Sequence, residues 1–240
     1  LSGIDLALWD IAGKHAAKPV YELLGGARKQ KVPAYYTSSN VDPGLKLGLR
    51  AFKTSVREKR AQLPALAERL KAIRKRIGPD AKLMIDCSCA WDVDTTLEAA
   101  RRLEEVRLEF IEEPISPDDL EGYERLCREV KSTKIAHGEH EYTRYGFREV
   151  LRHNAAHILQ PDMTWSGGLT EGRLIAAMAA ERGIPVIPHR GGSVFGMALI
   201  LSHDNCPMAE SFGIEPDDNE LMQALRPPFE DGHFLAWKKP

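Results

Sequence analysis

The chain has no apolar stretch approaching the roughly 20 residues a helix needs to cross a bilayer, which excludes a helical membrane span. It has no excess of one charge: 33 basic against 35 acidic residues give a net charge of −2 and a pI near 6.5. A general basic field for nucleic acid or an anionic membrane is thereby excluded. Cysteine is scarce, and Cys87, Cys89, Cys127 and Cys206 form no CxxC pair of the kind that binds zinc. Reduced thiols in a cytoplasmic protein are the reading that follows, with packing ahead of substrate contact for Cys87 and Cys89. The opening residues carry no signal-peptide pattern. The GxGxxG phosphate fingerprint is also missing after the first strand, which counts against an open doubly wound sheet.

What is present is alternation. Ser2 is placed to cap a first helix with Ile4, Leu8 and Ile11 on one face, and PVYELLGG forms a second short turn. VPAYYTSS and AFKTSV read as strands one and two, joined by a short or interrupted helix in DPGLKLGLR. Leu63, Leu66, Leu70, Ile73 and Ile77 keep helical spacing up to a stop at Gly78. Strand three is KLMID; Asp94 or Thr95 then opens a helix leading to strand four, EFIEE. Strands KIAHGE, HILQPD, PVIPH and MAESF follow, each preceded by a helical stretch. The basic run Arg74, Lys75 and Arg76 falls within a helix and reads as a solvated face.

The strands share a second property. Asp86, Glu112 and Glu139 close successive apolar runs, 26 and 27 residues apart, and the beat continues to Asp162, His189 and Glu210. Repeated βα units bring the carboxyl ends of parallel strands to one face of a barrel, where such folds do their chemistry. Three carboxylates there make a hard, all-oxygen site suited to Mg²⁺, with Mn²⁺ the alternative. Between Glu112 and Glu113, the inward residue is Glu112, which shares a strand face with Phe110; Glu113 then orients a neighbour or pairs outside. His189, with Asp162 one unit earlier, has the pattern of a general base oriented by a carboxylate. His140 follows Glu139 directly, and two readings stay open for it: supporting the metal or touching substrate, or a structural role. His15, His153, His157, His203 and His233 read as structural.

The ordered motifs D, IEEP, GE, QPD, PH and AES, with the opening AL-WDIAGK-AKPVYELLGG, resemble the mandelate racemase branch of the enolase superfamily. HGEH, QPDMTWSGGLTE and PHRGGSVFG are most similar to its sugar-acid dehydratases, those of the L-rhamnonate type in particular. The resemblance implies a TIM-type (β/α)7β barrel, with residues 1–26 ending a capping-domain linker, 27–225 forming the catalytic barrel and 226–240 a shortened return segment. It implies Mg²⁺ on Asp86, Glu112 and Glu139, and α-proton abstraction by His189, held by Asp162. Glu210, in its protonated form, would donate to the far carboxylate oxygen of the substrate. Lys53, His140 and Arg190 would contact substrate. The implied reaction dehydrates an aldonate to a 2-keto-3-deoxy acid through an enediolate.

Racemases of that branch carry K-x-K on strand two; here the run is Lys53-Thr54-Ser55, so Ser55 stands where an opposite-face base would be. A one-base dehydration is favoured over racemisation, with epimerisation, cycloisomerisation or an inactive barrel as the alternatives. Family members also carry an N-terminal α+β domain over the barrel mouth. The chain is therefore expected to fold and bind Mg²⁺ but to turn over weakly by itself. A small-molecule sugar acid is the expected partner, in a cytoplasmic homo-oligomer.

Overall fold

The computed structural model describes residues 1–212 and 226–240. The expected barrel boundary at residue 225 lies outside the described residues. Two helices open the chain, α1 (Ser2–Ala16) and α2 (Val20–Leu23). The barrel follows as β1 (Lys31–Thr37), α3 (Asp42–Lys46), β2 (Ala51–Ser55), α4 (Leu63–Ile77), β3 (Lys82–Asp86) and α5 (Val93–Arg102). It continues through β4 (Phe110–Glu112), α6 (Leu120–Glu129), β5 (Lys134–His137), α7 (Thr143–Arg152), β6 (Ile158–Leu159), α8 (Gly168–Glu181), α9 (Val194–Ser202) and β7 (Ala209–Ser211). A hairpin, β8 (Phe229–Glu230) and β9 (His233–Leu235), ends the described chain.

Strands β1 to β6 pair in parallel in sequence order. The seventh position is marked by a parallel bridge between Leu159 and Val186, so PVIPH contributes a bridge rather than a strand. Pro185 and Pro188 bracket that position, and proline cannot donate to a ladder. Strand β7 returns to β1 in parallel, with Ala34 opposite Ala209 and Tyr36 opposite Ser211. That pairing closes the sheet and rules out the open-sheet alternative. Below it, β9 runs antiparallel to the start of β1, Lys31 opposite Leu235, and carries the hairpin across the barrel floor.

Helices α4 to α7 form as their spacing predicts, because each lays one apolar stripe on the barrel. In α7 that stripe is Phe147, Val150 and Leu151, all buried, each worth about 1.5–3 kcal/mol on burial. Two start signals differ from expectation. Helix α5 is capped by Asp92, whose side chain accepts the Thr95 N–H at 2.7 Å. Ser2 does not cap α1; its hydroxyl accepts the Gly167 N–H at 3.0 Å. Asp5 accepts the Thr170 N–H, and the Trp9 indole donates to the Thr170 hydroxyl. So α1 caps the start of α8 from outside and turns Ser2, Leu6, Trp9 and Gly13 toward the barrel. Ile4, Leu8 and Ile11 then face solvent, 60% or more exposed. Arg74 is no solvated residue either: its guanidinium donates to the carbonyls of Val106, Gly78, Ala81 and Arg107, tying the end of α4 to the next unit.

Inside the barrel lies a separate apolar ring: Tyr35, Ala51, Met84, Phe110, Ala136, Ile158, Ile187 and Met208. Each strand position supplies one member. Side chains two residues apart share a strand face. The layer above is therefore Thr37, Lys53, Asp86, Glu112, Gly138, Gln160, His189 and Glu210. This period-two step lifts the fold from a hydrophobic floor to a polar mouth.

Candidate active site at the barrel mouth

Asp86 and Glu112 stand side by side in register at the ends of β3 and β4. Asp86 Oδ1 accepts the backbone N–H and hydroxyl of Ser88, which fixes the carboxylate at the rim. Glu112 is fully buried, accepting from Lys53 at 2.7 Å on both oxygens and from Gln160 Nε2 at 2.7 Å. Strand β5 ends at His137, and Gly138, at φ +126°, turns the chain so that Glu139 faces the same mouth. A side chain at Gly138 would strike the Phe147 ring at 2.7 Å.

On the far side, His189 Nδ1 lies 2.8 Å from Asp162 Oδ2, and its Nε2 is 3.4 Å from Glu139 Oε1 and 4.0 Å from Glu210 Oε2. Asp162 Oδ1 accepts from the Thr164 N–H and hydroxyl, which leaves Oδ2 for the imidazole. Gly192 permits this loop: a Cβ there would lie 2.4 Å from the Glu210 carbonyl oxygen. Arg190, at φ +53°, donates its backbone N–H to Glu210 Oε2 and lays its guanidinium over the Phe212 ring.

The electrostatics separate these groups. Burial pushes the Glu112 carboxyl up to about 8, with Glu210 and Asp86 adding to it and Lys53 opposing. Burial also raises Glu139, helped by Glu113 and Asp86. Carboxyls crowded until they resist ionisation form a site that a divalent cation satisfies. The donors present are all oxygen, and Glu112 keeps lone-pair directions beyond those Lys53 and Gln160 use. The residues fit Mg²⁺.

Burial alone would lower His189, but the Asp162 hydrogen bond, Glu210 and Glu139 outweigh it and hold the imidazole above its ordinary value. For Glu210, burial alone would raise the carboxyl, yet Lys53, His189 and the Thr37 hydroxyl hold it below the usual carboxylate range. The protonated form expected from the family pattern would have to work against these three partners. Lys53, expected to contact substrate, is paired here with two acids of the mouth. Only 1% exposed, its ammonium bridges Glu112 at 2.7 Å and Glu210 at 2.6 Å.

His140 turns aside from the mouth and donates Nδ1–H to Glu113 Oε2 at 2.5 Å. Glu113 leaves β4 at φ +35°, which swings it out of the barrel to orient this neighbour. Buried, but faced by the imidazoles of His137 and His140, its carboxyl is drawn down to about 2. Cys89 does more than pack: its thiol faces Glu113 and is pushed up to about 12 by burial and that carboxylate. All four cysteines are free thiols. Thr37, Gln160 and Thr164 join the site without having been singled out. The first two sit two residues past Tyr35 and Ile158, so strand period was the available signal. Trp165 and Phe212, both half exposed, frame His189 with ring centroids 6.4 and 5.9 Å away.

Comparison with known proteins places this geometry. Residues 42–240 match the model described as enolase C-terminal domain-like, and residues 1–25 match the mandelate racemase/muconate lactonizing enzyme N-terminal domain. An L-rhamnonate dehydratase from Saccharopolyspora erythraea is 38% identical over 232 residues, covering 95% of this chain. The chain spans 59% of the length of that curated relative. Among solved structures, rhamnonate dehydratase from Gibberella zeae complexed with Mg is 33% identical with a TM-score of 0.88, covering 99% of this chain and 61% of its own. The 3,6-anhydro-D-galactonate cycloisomerase of Zobellia galactanivorans is also 33% identical, at a TM-score of 0.86, covering 100% and 70%. With acids at successive strand ends, a closed parallel barrel and family matches at both ends, the chain belongs to the enolase superfamily, in its mandelate racemase/muconate lactonizing group.

Proposed function

We propose that this barrel serves Mg²⁺-dependent dehydration of a sugar acid to a 2-keto-3-deoxy acid. The observation that carries the reading is His189, held at Nδ1 by Asp162 with Nε2 free toward the carboxylates of Glu139 and Glu210. Asp86, Glu112 and Glu139 would hold Mg²⁺, whose charge offsets the negative charge left when the α-proton departs. His189 Nε2 takes that proton, breaking the α C–H bond, while Asp162 stabilises the imidazolium. The same Nε2–H then protonates the β-hydroxyl, which leaves as water, and the enol product tautomerises to the keto acid.

Ser55, the inward residue of β2 above Lys53, offers no second base, which favours a one-base elimination over racemisation. Cycloisomerisation is the second reading, supported by the likeness to the Zobellia enzyme. The test is NMR in D2O with Mg²⁺ and a panel of C5 and C6 aldonates, beside His189→Asn. Loss of water with keto-acid formation supports dehydration, whereas keto-acid formation without water loss from an added 3,6-anhydro acid supports the cycloisomerase reading. Identical spectra from the parent and His189→Asn overturn both.

A further inference from the structure

Three consecutive strand exits deliver donors to a point just outside the acid cluster. Past β3, Ser88 and Cys89 take φ values of +42° and +60°, and the Cys89 N–H donates to the Glu113 carbonyl at 2.7 Å. Past β4, Glu113 turns outward. Past β5, the His140 N–H donates to Glu113 Oε1 at 3.2 Å. The Cys89 thiol, a Glu113 carboxylate oxygen and an imidazole nitrogen of His140 consequently lie within 4.8 Å of one another.

This set differs in kind from the acids beside it. Asp86, Glu112 and Glu139 are hard oxygen donors, whereas thiolate and imidazole select borderline and soft ions. A second observation points the same way. His137 is fully buried, neither ring nitrogen has a partner, and its Nδ1 stands 3.6 Å from Glu113 Oε1. The ring is stacked on Tyr123 at 4.2 Å, which aims it at the back of this carboxylate.

We propose that Cys89, Glu113 and His140 form a second cation site, selective for a thiophilic divalent ion such as Zn²⁺ or Cd²⁺. Zn–S and Zn–O bonds of ordinary length at a tetrahedral angle put sulfur and oxygen about 3.6 Å apart; Cys89 Sγ and Glu113 Oε2 are 3.5 Å apart. The imidazole must retreat, because nitrogen and oxygen need about 3.4 Å in such a site and are now 2.5 Å apart. His140 is 38% exposed and has room to do so. Binding exchanges the Cys89 proton and the His140–Glu113 hydrogen bond for bonds to the ion. The site does not depend on the function proposed above, since none of its ligands belongs to the acid set or the His189 pair.

The experiment is Cd²⁺ titration of the reduced, metal-stripped protein with Mg²⁺ in excess, following the ultraviolet thiolate-to-cadmium charge-transfer band. The band should grow to one equivalent in the parent, and in Asp86→Asn and Cys127→Ser. It should vanish in Cys89→Ser, and His140→Ala, which alters a partly exposed ring, should weaken binding at least about tenfold. Circular dichroism checks the fold of each variant. No band in the parent, a band that survives Cys89→Ser, unchanged affinity in His140→Ala, or loss of the band to excess Mg²⁺ would each overturn the site.

Discussion

Lys53 Nζ lies 2.6 Å from Glu210 Oε1, joining β2 to β7 past the intervening β1, with both side chains shut away from water. It holds Glu112 on its other side at 2.7 Å. The ammonium stands over the Tyr35 ring, 5.5 Å from its centre, so the polar layer rests on the apolar one. Burial alone would lower its pKa; Glu112 and Glu210 outweigh that and hold it well above its ordinary value.

Lys53→Met should therefore lower stability by about 3–5 kcal/mol in urea unfolding, the usual cost of stranding buried charge. Added Mg²⁺ should restore part of the loss by supplying positive charge at Glu112. A change within about 0.5 kcal/mol, like that of a surface substitution, would show that the two acids need no internal cation.

Glu139 tests the metal assignment, because it sits at the rim and supports little of the core. Glu139→Gln should weaken Mg²⁺ binding by more than about tenfold in titration calorimetry, with the thermal midpoint nearly unchanged. Parent-like affinity would remove Glu139 from the ligand set.

Asp5 caps α8 across 165 residues of sequence. Asp5→Ala should cost about 1 kcal/mol, as cap removal does elsewhere, and Asp5→Asn should cost less because an acceptor oxygen remains. Equal losses in the two variants would mean that charge, not the hydrogen bond, matters there.

His157 supplies a pH signature. Burial, reinforced by Lys131 and Lys134, lowers its pKa, and its Nδ1 accepts the Ile135 N–H at 3.1 Å. A depressed histidine contributes stability that is complete above the unfolded value of about 6.5 and is lost as pH falls through the folded one. The urea midpoint should thus drop on acidification below that value, and His157→Gln should flatten the drop. An unaltered slope would clear His157 of the effect.

Much of this architecture was legible because the pattern and the packing agree. KLMID and the Leu63–Ile77 stripe announce their elements directly, and Phe110 correctly picked Glu112 over Glu113 as the inward acid. Legibility failed where one pattern has two outcomes. Helix α1 is apolar on two sides, and periodicity cannot say that Trp9 and Leu6, rather than Ile4 and Leu8, meet the barrel. The pull on Glu210 comes from Lys53, a partner 157 residues away on the other side of β1, which no local motif reveals. Strand seven shrinks to a bridge because prolines flank it. The β8–β9 hairpin was hidden because its partner, the start of β1, is distant in sequence.

The two-residue step between the apolar ring and the polar mouth also governs which genetic changes this barrel survives. Deleting one residue inside a strand would send its mouth group into the helix layer and a helix-facing residue into the interior, losing fold and chemistry together. Exchanging a mouth residue such as Ser55 or Thr37 leaves the ring beneath intact. New reactions on this scaffold are thus reachable by point substitution at the strand ends and by loop insertion, while small deletions within the strands are closed to it.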